Sequence, residues 1–265
     1  MTVSISVHVD GYYGLVNGVP NLLRLFDKHN IKATFFVNMG REANIFQILK
    51  YRKGSQISNE DKKVSSRYSK RELLEMALMN RTLGHSHGKL LLEIKARGHE
   101  VNPHCWSHLL WSKNFSNINY LDEIRKMKKS YFDIFGTNPK GFAPPTWKFN
   151  DEVVEILKKE GFEYLAVNDC FPRICKKHGL NIIPLSFGKN VEELENKGKS
   201  TDDILNIYRN ELKKKYVNLY FHADYEGLAG LGILEEILKM IGKKKVLTYE
   251  KLLKNYLPFN FSKSA

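Results

Sequence analysis

The stretch Ser4-Ile5-Ser6-Val7-His8-Val9, closed by Asp10, reads as a short β-branched strand ending on a carboxylate. A helical amphipathic pattern follows at residues 19–29, and a second strand-like run at 33–38. The same order then repeats along the chain, with strand patterns at 100–104, 141–143, 164–167, 181–184, 218–221 and 245–248. Helical patterns lie at 120–135, 151–161, 201–216 and 232–241, and the third of these five (151–161) begins on Asp151 and Glu152 and stops at Gly161, as helix start and stop signals require. Repeated β-then-α units imply parallel strands joined by crossover helices, and seven or eight of them imply an α/β barrel. The 265 residues fit one such domain, spanning residues 1–265.

Barrels of this kind carry their chemistry at the C-terminal ends of the strands. Asp10, His104, His108, Asp169 and His222 all fall at such ends. In Pro103-His104-Cys105-Trp106-Ser107-His108 two imidazoles stand four residues apart, so they share one face of a helix or meet across a tight turn. Together with the Asp10 carboxylate they make a three-point nitrogen and oxygen set. Such a set holds a divalent metal and leaves one coordination position open for water, the mark of a catalytic rather than a structural site. Zinc is the expected ion, and the same donors accept cobalt, nickel or iron.

His8 lies two residues before Asp10 on the strand and so points to the same face, within reach of a water on the metal. His222 ends the apolar run Val217-Asn218-Leu219-Tyr220-Phe221 and is a candidate general acid, with Asp169 as the carboxylate that would orient it. His85 and His87, set between Gly84 and Gly88, form a rival pair whose glycines suggest a loop. Substrate contact fits them better than metal binding. Each of these residues also has a structural reading: a strand-end aspartate often closes a turn, and a histidine often caps a loop.

The net charge of +13 suggests an anionic partner, although a solvated lysine-rich surface gives the same number. Residues 44–97 separate the second and third strands by far more than a crossover needs. This expected insertion carries eight Lys or Arg between Lys50 and Arg71 and apolar helical faces at 45–51 and 73–83. No apolar run approaches the roughly 18–20 residues that span a bilayer, and the N-terminus lacks a secretory pattern. Three cysteines, Cys105, Cys170 and Cys175, then suit a reducing cytoplasm.

Taken in order, these residues resemble the polysaccharide deacetylase superfamily (NodB homology, carbohydrate esterase family 4). The motifs that carry the likeness are His8/Asp10, His104/His108, Phe142-Ala143-Pro144-Pro145-Thr146-Trp147-Lys148, Asn168-Asp169 and Leu219-Tyr220-Phe221-His222. Gly18-Val19-Pro20-Asn21-Leu22-Leu23, Lys28-His29-Asn30-Ile31-Lys32-Ala33 and His222-Ala223-Asp224-Tyr225-Glu226-Gly227 are similar to the ArnD and NaxD branch, deformylases and deacetylases of polyprenyl-phosphate-linked amino sugars.

The resemblance implies a distorted barrel of the NodB type with Asp10, His104 and His108 on the metal. It makes His222 the acid, tuned by Asp169, and places Pro145, Trp147, Lys148, His85 and Glu226 around the substrate. The family's usual base aspartate is replaced here by His8, and its third-motif arginine has no clear match, Lys148 being the nearest basic residue. A lipid-linked sugar as substrate would make the anionic partner a membrane surface rather than nucleic acid, and would place the enzyme on the inner face of the cytoplasmic membrane. The competing readings are another amide hydrolase of the superfamily acting on a soluble substrate, and a barrel with a decayed site that uses its basic surface for binding.

Overall fold

A computed structural model describes residues 2–42, 74–75, 78, 82–169 and 174–260. The chain is an α/β barrel built from two arcs of parallel strands. In the first, β3 (Glu100–Cys105), β2 (Thr34–Asn38), β1 (Thr2–Val9) and β8 (Tyr216–His222) lie side by side, and the short β9 (Lys245–Val246) pairs with the start of β1. The second contains β4 (Gly141–Phe142), β5 (Tyr164–Val167) and β7 (Leu180–Pro184), with β6 (Cys175–Lys177) added antiparallel at the edge. The helices are α1 (Val19–Lys28), α2 (Gly88–Ala96), α3 (His108–Lys113), α4 (Tyr120–Phe135), α5 (Asp151–Lys159), α6 (Val191–Asn196), α7 (Thr201–Glu211), α8 (Leu231–Ile241) and α9 (Tyr249–Asn260).

Because side chains alternate along a strand, each strand serves two cores. On β1, Val3, Ile5, Val7 and Val9 join the large apolar cluster that also takes in Leu22, Leu23 and Phe26 of α1 and Ile237 of α8. Ser4, Ser6 and His8 are buried too, on the other face, where His8 meets Phe36 at 5.7 Å between ring centroids. Phe36, Tyr164, Ala166, Ile183 and Tyr249 form a separate, smaller cluster. A strand buried on both faces needs no exposed polar positions, and its polar residues are therefore informative: they belong to the interior of the barrel.

Two asparagines close the seams between the arcs. Asn102 of β3 accepts hydrogen bonds from the N–H groups of Lys140 and Gly141 at the start of β4, at 3.1 and 2.9 Å. Asn218 of β8 donates its amide to Pro184 O of β7 at 2.9 Å, while its backbone N–H donates to Ser186 Oγ at 2.8 Å. Side chains thus do the work of ladder bonds where the strands diverge, which is the physical content of a distorted barrel. Below them α9 plugs the N-terminal end. The N–H of Tyr249 donates to Thr34 Oγ1 (2.9 Å) and that of Glu250 to the half-buried Glu100 carboxylate (3.0 Å), so two orphan donors of the helix start are satisfied by side chains of the barrel.

All eight expected strands match observed ones within two residues at each end, and the short edge strand β6 was not expected. The crossover into β3 is α2, which lies inside the segment 44–97 and buries Leu91 and Ile94 in the main core. The basic run from Lys50 to Arg71 and the apolar face at 45–51 lie outside the described residues. Among the described residues no helix is long and apolar enough to cross a membrane.

Candidate metal and acid–base site

The site sits at the C-terminal end of the first arc. His8 comes from β1 and Asp10 from the residue just after it, His104 from β3, His222 from β8 and His108 from the first turn of α3. His104 and His108 do not share a helix: Ser107, between them, has extended backbone and N-caps α3, its hydroxyl accepting from Leu110 N–H at 3.5 Å. A strand followed by a sharp helix start brings the two rings to 5.5 Å between centroids.

Asp10 is the hub. His104 Nε2 lies 3.2 Å from its Oδ1, and His108 Nε2 and His222 Nε2 lie 3.6 and 3.8 Å from its Oδ2. Burial alone would raise the Asp10 carboxyl, but the neighbouring His108, His104 and His222 outweigh it and hold Asp10 well below the usual carboxylate range. Burial pulls the His108 imidazole below its ordinary value despite the opposing pull of Asp10. A divalent cation is ligated by an ionised carboxylate and by imidazole nitrogens that carry no proton.

Two further observations fit a metal. His104 donates its Nδ1–H to Ala143 O at 2.5 Å, which leaves the Nε2 lone pair facing Asp10, the outer-shell arrangement that prepares a metal-ligating histidine. One donor atom each from His8, Asp10 and His104 lies within 4.8 Å of the others, and His8 Nε2 is buried with no hydrogen-bond partner among the described residues. An orphaned buried nitrogen costs free energy unless something else in the site uses it.

His8 is enclosed by rings: His104 and Trp147 at 4.7 Å, His222 at 5.7 Å and Tyr220 at 5.8 Å. Burial, reinforced by the charges of His104 and His222, holds its pKa well below the ordinary histidine value. Trp147 reaches it because Thr146 and Trp147 both take left-handed backbone, φ 50° and 59°. Two successive non-glycine residues there cost roughly 1–3 kcal/mol each, strain of the kind that gathers at functional sites. Pro145 is buried in the same loop, and exposed Lys148 turns its ammonium to Ser112 O at 2.6 Å.

The loop after β1 packs closely on the loop after β8. A Cβ on Gly14 would lie 1.8 Å from Asp224 Oδ1, and one on Gly18 would lie 2.0 Å from Ala223 O, so both positions need glycine. Glu226, expected at the substrate, is fully buried instead: its carboxylate accepts from the backbone N–H groups of His222 (2.6 Å) and Glu192 (3.2 Å) and braces this loop. His222 Nδ1 faces Asn190 Nδ2 at 2.8 Å, with Glu192 Oε2 at 3.9 Å. Asp169, proposed from the sequence to tune His222, stands exposed at the end of β5. His85, also expected at the substrate, is exposed and pairs with Asp133 on α4 at 3.4 Å. Asn190 and Glu192 were not readable as site residues. The one available signal, Asn190 followed three residues later by Glu193, marks a helix start and says nothing of a histidine 32 positions on.

Glu123 of α4 anchors the turn that carries His108, accepting Ser107 N–H at 3.0 Å. Its burial pushes the carboxyl from 4.5 up to about 7 against that hydrogen bond. An acid with a higher pKa folded than unfolded binds more protons in the folded state between the two values. Its contribution is therefore greatest below about pH 4.5 and is lost as pH rises through about 7. Glu123→Gln keeps an acceptor for Ser107 and removes the loss. Above pH 7.5 the variant is expected to be more stable than the wild type by on the order of 2 kcal/mol, with the difference vanishing near pH 4.5. Melting temperatures across that range check it, and parallel curves for the two proteins would reject it.

The sequence profile of the family described as polysaccharide deacetylase matches residues 4–165. A protein of Shewanella sediminis described as a probable 4-deoxy-4-formamido-L-arabinose-phosphoundecaprenol deformylase, ArnD, is 25% identical over 257 residues, covering 89% of this chain and 80% of its own. A protein of Wigglesworthia glossinidia brevipalpis with the same description is 27% identical over 239 residues, covering 84% and 82%. Among solved structures, a probable polysaccharide deacetylase from Pseudomonas aeruginosa PAO1 superposes with a TM-score of 0.67 over 98% of this chain and 91% of its own, at 12% identity.

Proposed function

Because the chain belongs to the polysaccharide deacetylase family, hydrolases of N-acyl groups, we propose that it removes a formyl or acetyl group from an amino sugar carried on a polyprenyl phosphate, in lipid A or other envelope glycan modification. The observation that carries this reading is the convergence of three histidine Nε2 atoms on the Asp10 carboxylate beside the orphaned Nε2 of His8. Likeness over most of the chain to relatives described as deformylases of a phosphoundecaprenol-linked sugar supports the choice of substrate class.

Asp10, His104 and His108 would hold the ion, with zinc the expected metal. A divalent ion there supplies a polarised amide carbonyl and a water that is nucleophilic near neutral pH. The remaining steps belong to the chain. His8, neutral in its ring-lined pocket, takes the proton of the attacking water. His222, on the opposite strand neighbour of β1, gives a proton to the departing amine. Trp147 covers His8 and keeps bulk water from it, so the proton taken from the nucleophile is not exchanged at random.

A substrate anchored in lipid brings the enzyme to the inner face of the cytoplasmic membrane, and the basic residues between Lys50 and Arg71 supply the attraction to anionic headgroups, each contributing up to ~1 kcal/mol before screening. One experiment tests both parts. Purified protein is mixed with anionic liposomes carrying polyprenyl-phosphate N-formyl- or N-acetyl-amino sugars, at low and high salt. The expected result is loss of the formyl or acetyl mass from the sugar, with protein floating alongside the liposomes at low salt only. Hydrolysis of soluble N-acyl sugars alone would favour the second reading, a family member acting on a soluble amide, and no co-flotation would remove the membrane part.

A further inference from the structure

We propose that Asn190 is a positioning residue that fixes the tautomer of neutral His222, placing its single ring proton on Nε2, toward Asp10, so that Nε2 presents an N–H to the site and not a lone pair to a metal. The argument starts from the two ends of one amide. Asn190 N-caps α6, and its Oδ1 accepts the N–H of Glu193 at 2.8 Å. That bond sets the amide's orientation, because a flipped amide would point NH₂ at an N–H donor. The other end is therefore Nδ2, and it faces His222 Nδ1 at 2.8 Å. An amide NH₂ only donates, so Nδ1 must be the bare, accepting nitrogen. In a neutral imidazole the proton then sits on Nε2, the atom 3.8 Å from Asp10 Oδ2. Asn190 is fully buried, so water does not compete for the contact.

The histidine across the site is set the other way. His104 gives its Nδ1 proton to Ala143 O and presents a bare Nε2 to the same carboxylate. One cluster thus holds two imidazoles in opposite tautomers, each chosen by a buried partner on the far side of the ring. A bare Nε2 ligates, while a protonated Nε2 donates. Glu192 Oε2, 3.9 Å from His222 Nδ1, is a carboxylate that would favour a proton on Nδ1, and Asn190 stands closer than it does.

The tautomer follows from these contacts and does not rest on the proposed function. The test uses the full chain with ¹⁵N-labelled histidine, and reads the two-bond ¹H–¹⁵N correlations of His222 near neutral pH in the wild type and in Asn190→Asp, with His222→Gln for assignment. Aspartate is as good an N-cap as asparagine, so α6 persists, but its carboxylate only accepts and demands a proton on Nδ1. The expected result is a bare Nδ1 and protonated Nε2 in the wild type, and a protonated Nδ1 in Asn190→Asp. A proton on Nδ1 in the wild type overturns the proposal, as does an Asn190→Asp protein with unchanged His222 signals. A wild type inactive on every lipid-linked sugar would count against the proposed function alone, since the spectra need no substrate.

Discussion

Replacing His104 and His108 together with alanine is expected to leave the purified protein without divalent metal and to lower hydrolysis to below about a thousandth of wild type, as water reverts from a pKa near 7 toward its bulk value of about 15.7. The two residues supply two of three proposed donors, and the third, Asp10, would be left with one carboxylate for an ion that prefers three protein ligands and a water. His104 is also buried, so its truncation opens a cavity beside Ala143. His108 is only half-buried and can be removed alone with little damage to packing. The readout that separates lost ligation from lost fold is the effect of added zinc on the melting temperature. An ion that binds only the folded state at about 100 times its Kd stabilises by roughly 2.7 kcal/mol. The wild type should show that gain, and His108→Ala only a fraction of it. Metal content in the double variant equal to wild type would remove these two histidines from the site.

Much of this architecture was legible because the strands that build it are buried on both faces. Residues 4–9 and 218–221 read as strands from their β-branched and apolar content, and His8, Asp10 and His222 stood out as polar groups at their ends. Their meeting follows from the register, in which His8 pairs directly with His222 on the neighbouring parallel strand. What the residues alone did not reveal depends on contacts between distant segments. The helix α6 and the edge strand β6 are too short for periodicity to speak, at six and three residues. Glu226 sits in a polar, loop-like run, and only the fold shows it buried under two backbone N–H groups. Asn190 carries a cap signature whose second bond crosses to another element. The expectation that a strand-end carboxylate, Asp169, would serve His222 rests on type and place in the chain, whereas the neighbours of Nδ1 are set by how the loop after β7 returns over β8. Left-handed backbone at Thr146 and Trp147 has no sequence signal either, since neither residue favours it.

His8→Ala is expected to lower kcat by about 10²- to 10⁴-fold, the usual worth of a positioned general base, while metal content stays near wild type. The motivation is geometric: His8 Nε2 is buried and without a hydrogen-bond partner among the described residues, and the ring lies 4.7 Å from those of His104 and Trp147 and 5.7 Å from that of His222 between centroids. Burial keeps this imidazole neutral throughout the working pH range, so it is available to accept a proton, and a nearby cation would make its protonated form less favourable still. The same depressed pKa makes it a weak base, and this is where His8→Asp becomes informative. A carboxylate at position 8 would restore the group usual in the family and add a negative charge beside Asp10. It should hold the ion more tightly and keep or raise turnover. Measured together, metal content and kcat separate three roles. Loss of both in His8→Ala would make His8 a ligand alongside Asp10 and His104, whose donor atoms lie within 4.8 Å of one another. Loss of kcat alone makes it the base. Retention of both would leave His8 as packing for Trp147, and the proton of the attacking water would then need a different acceptor.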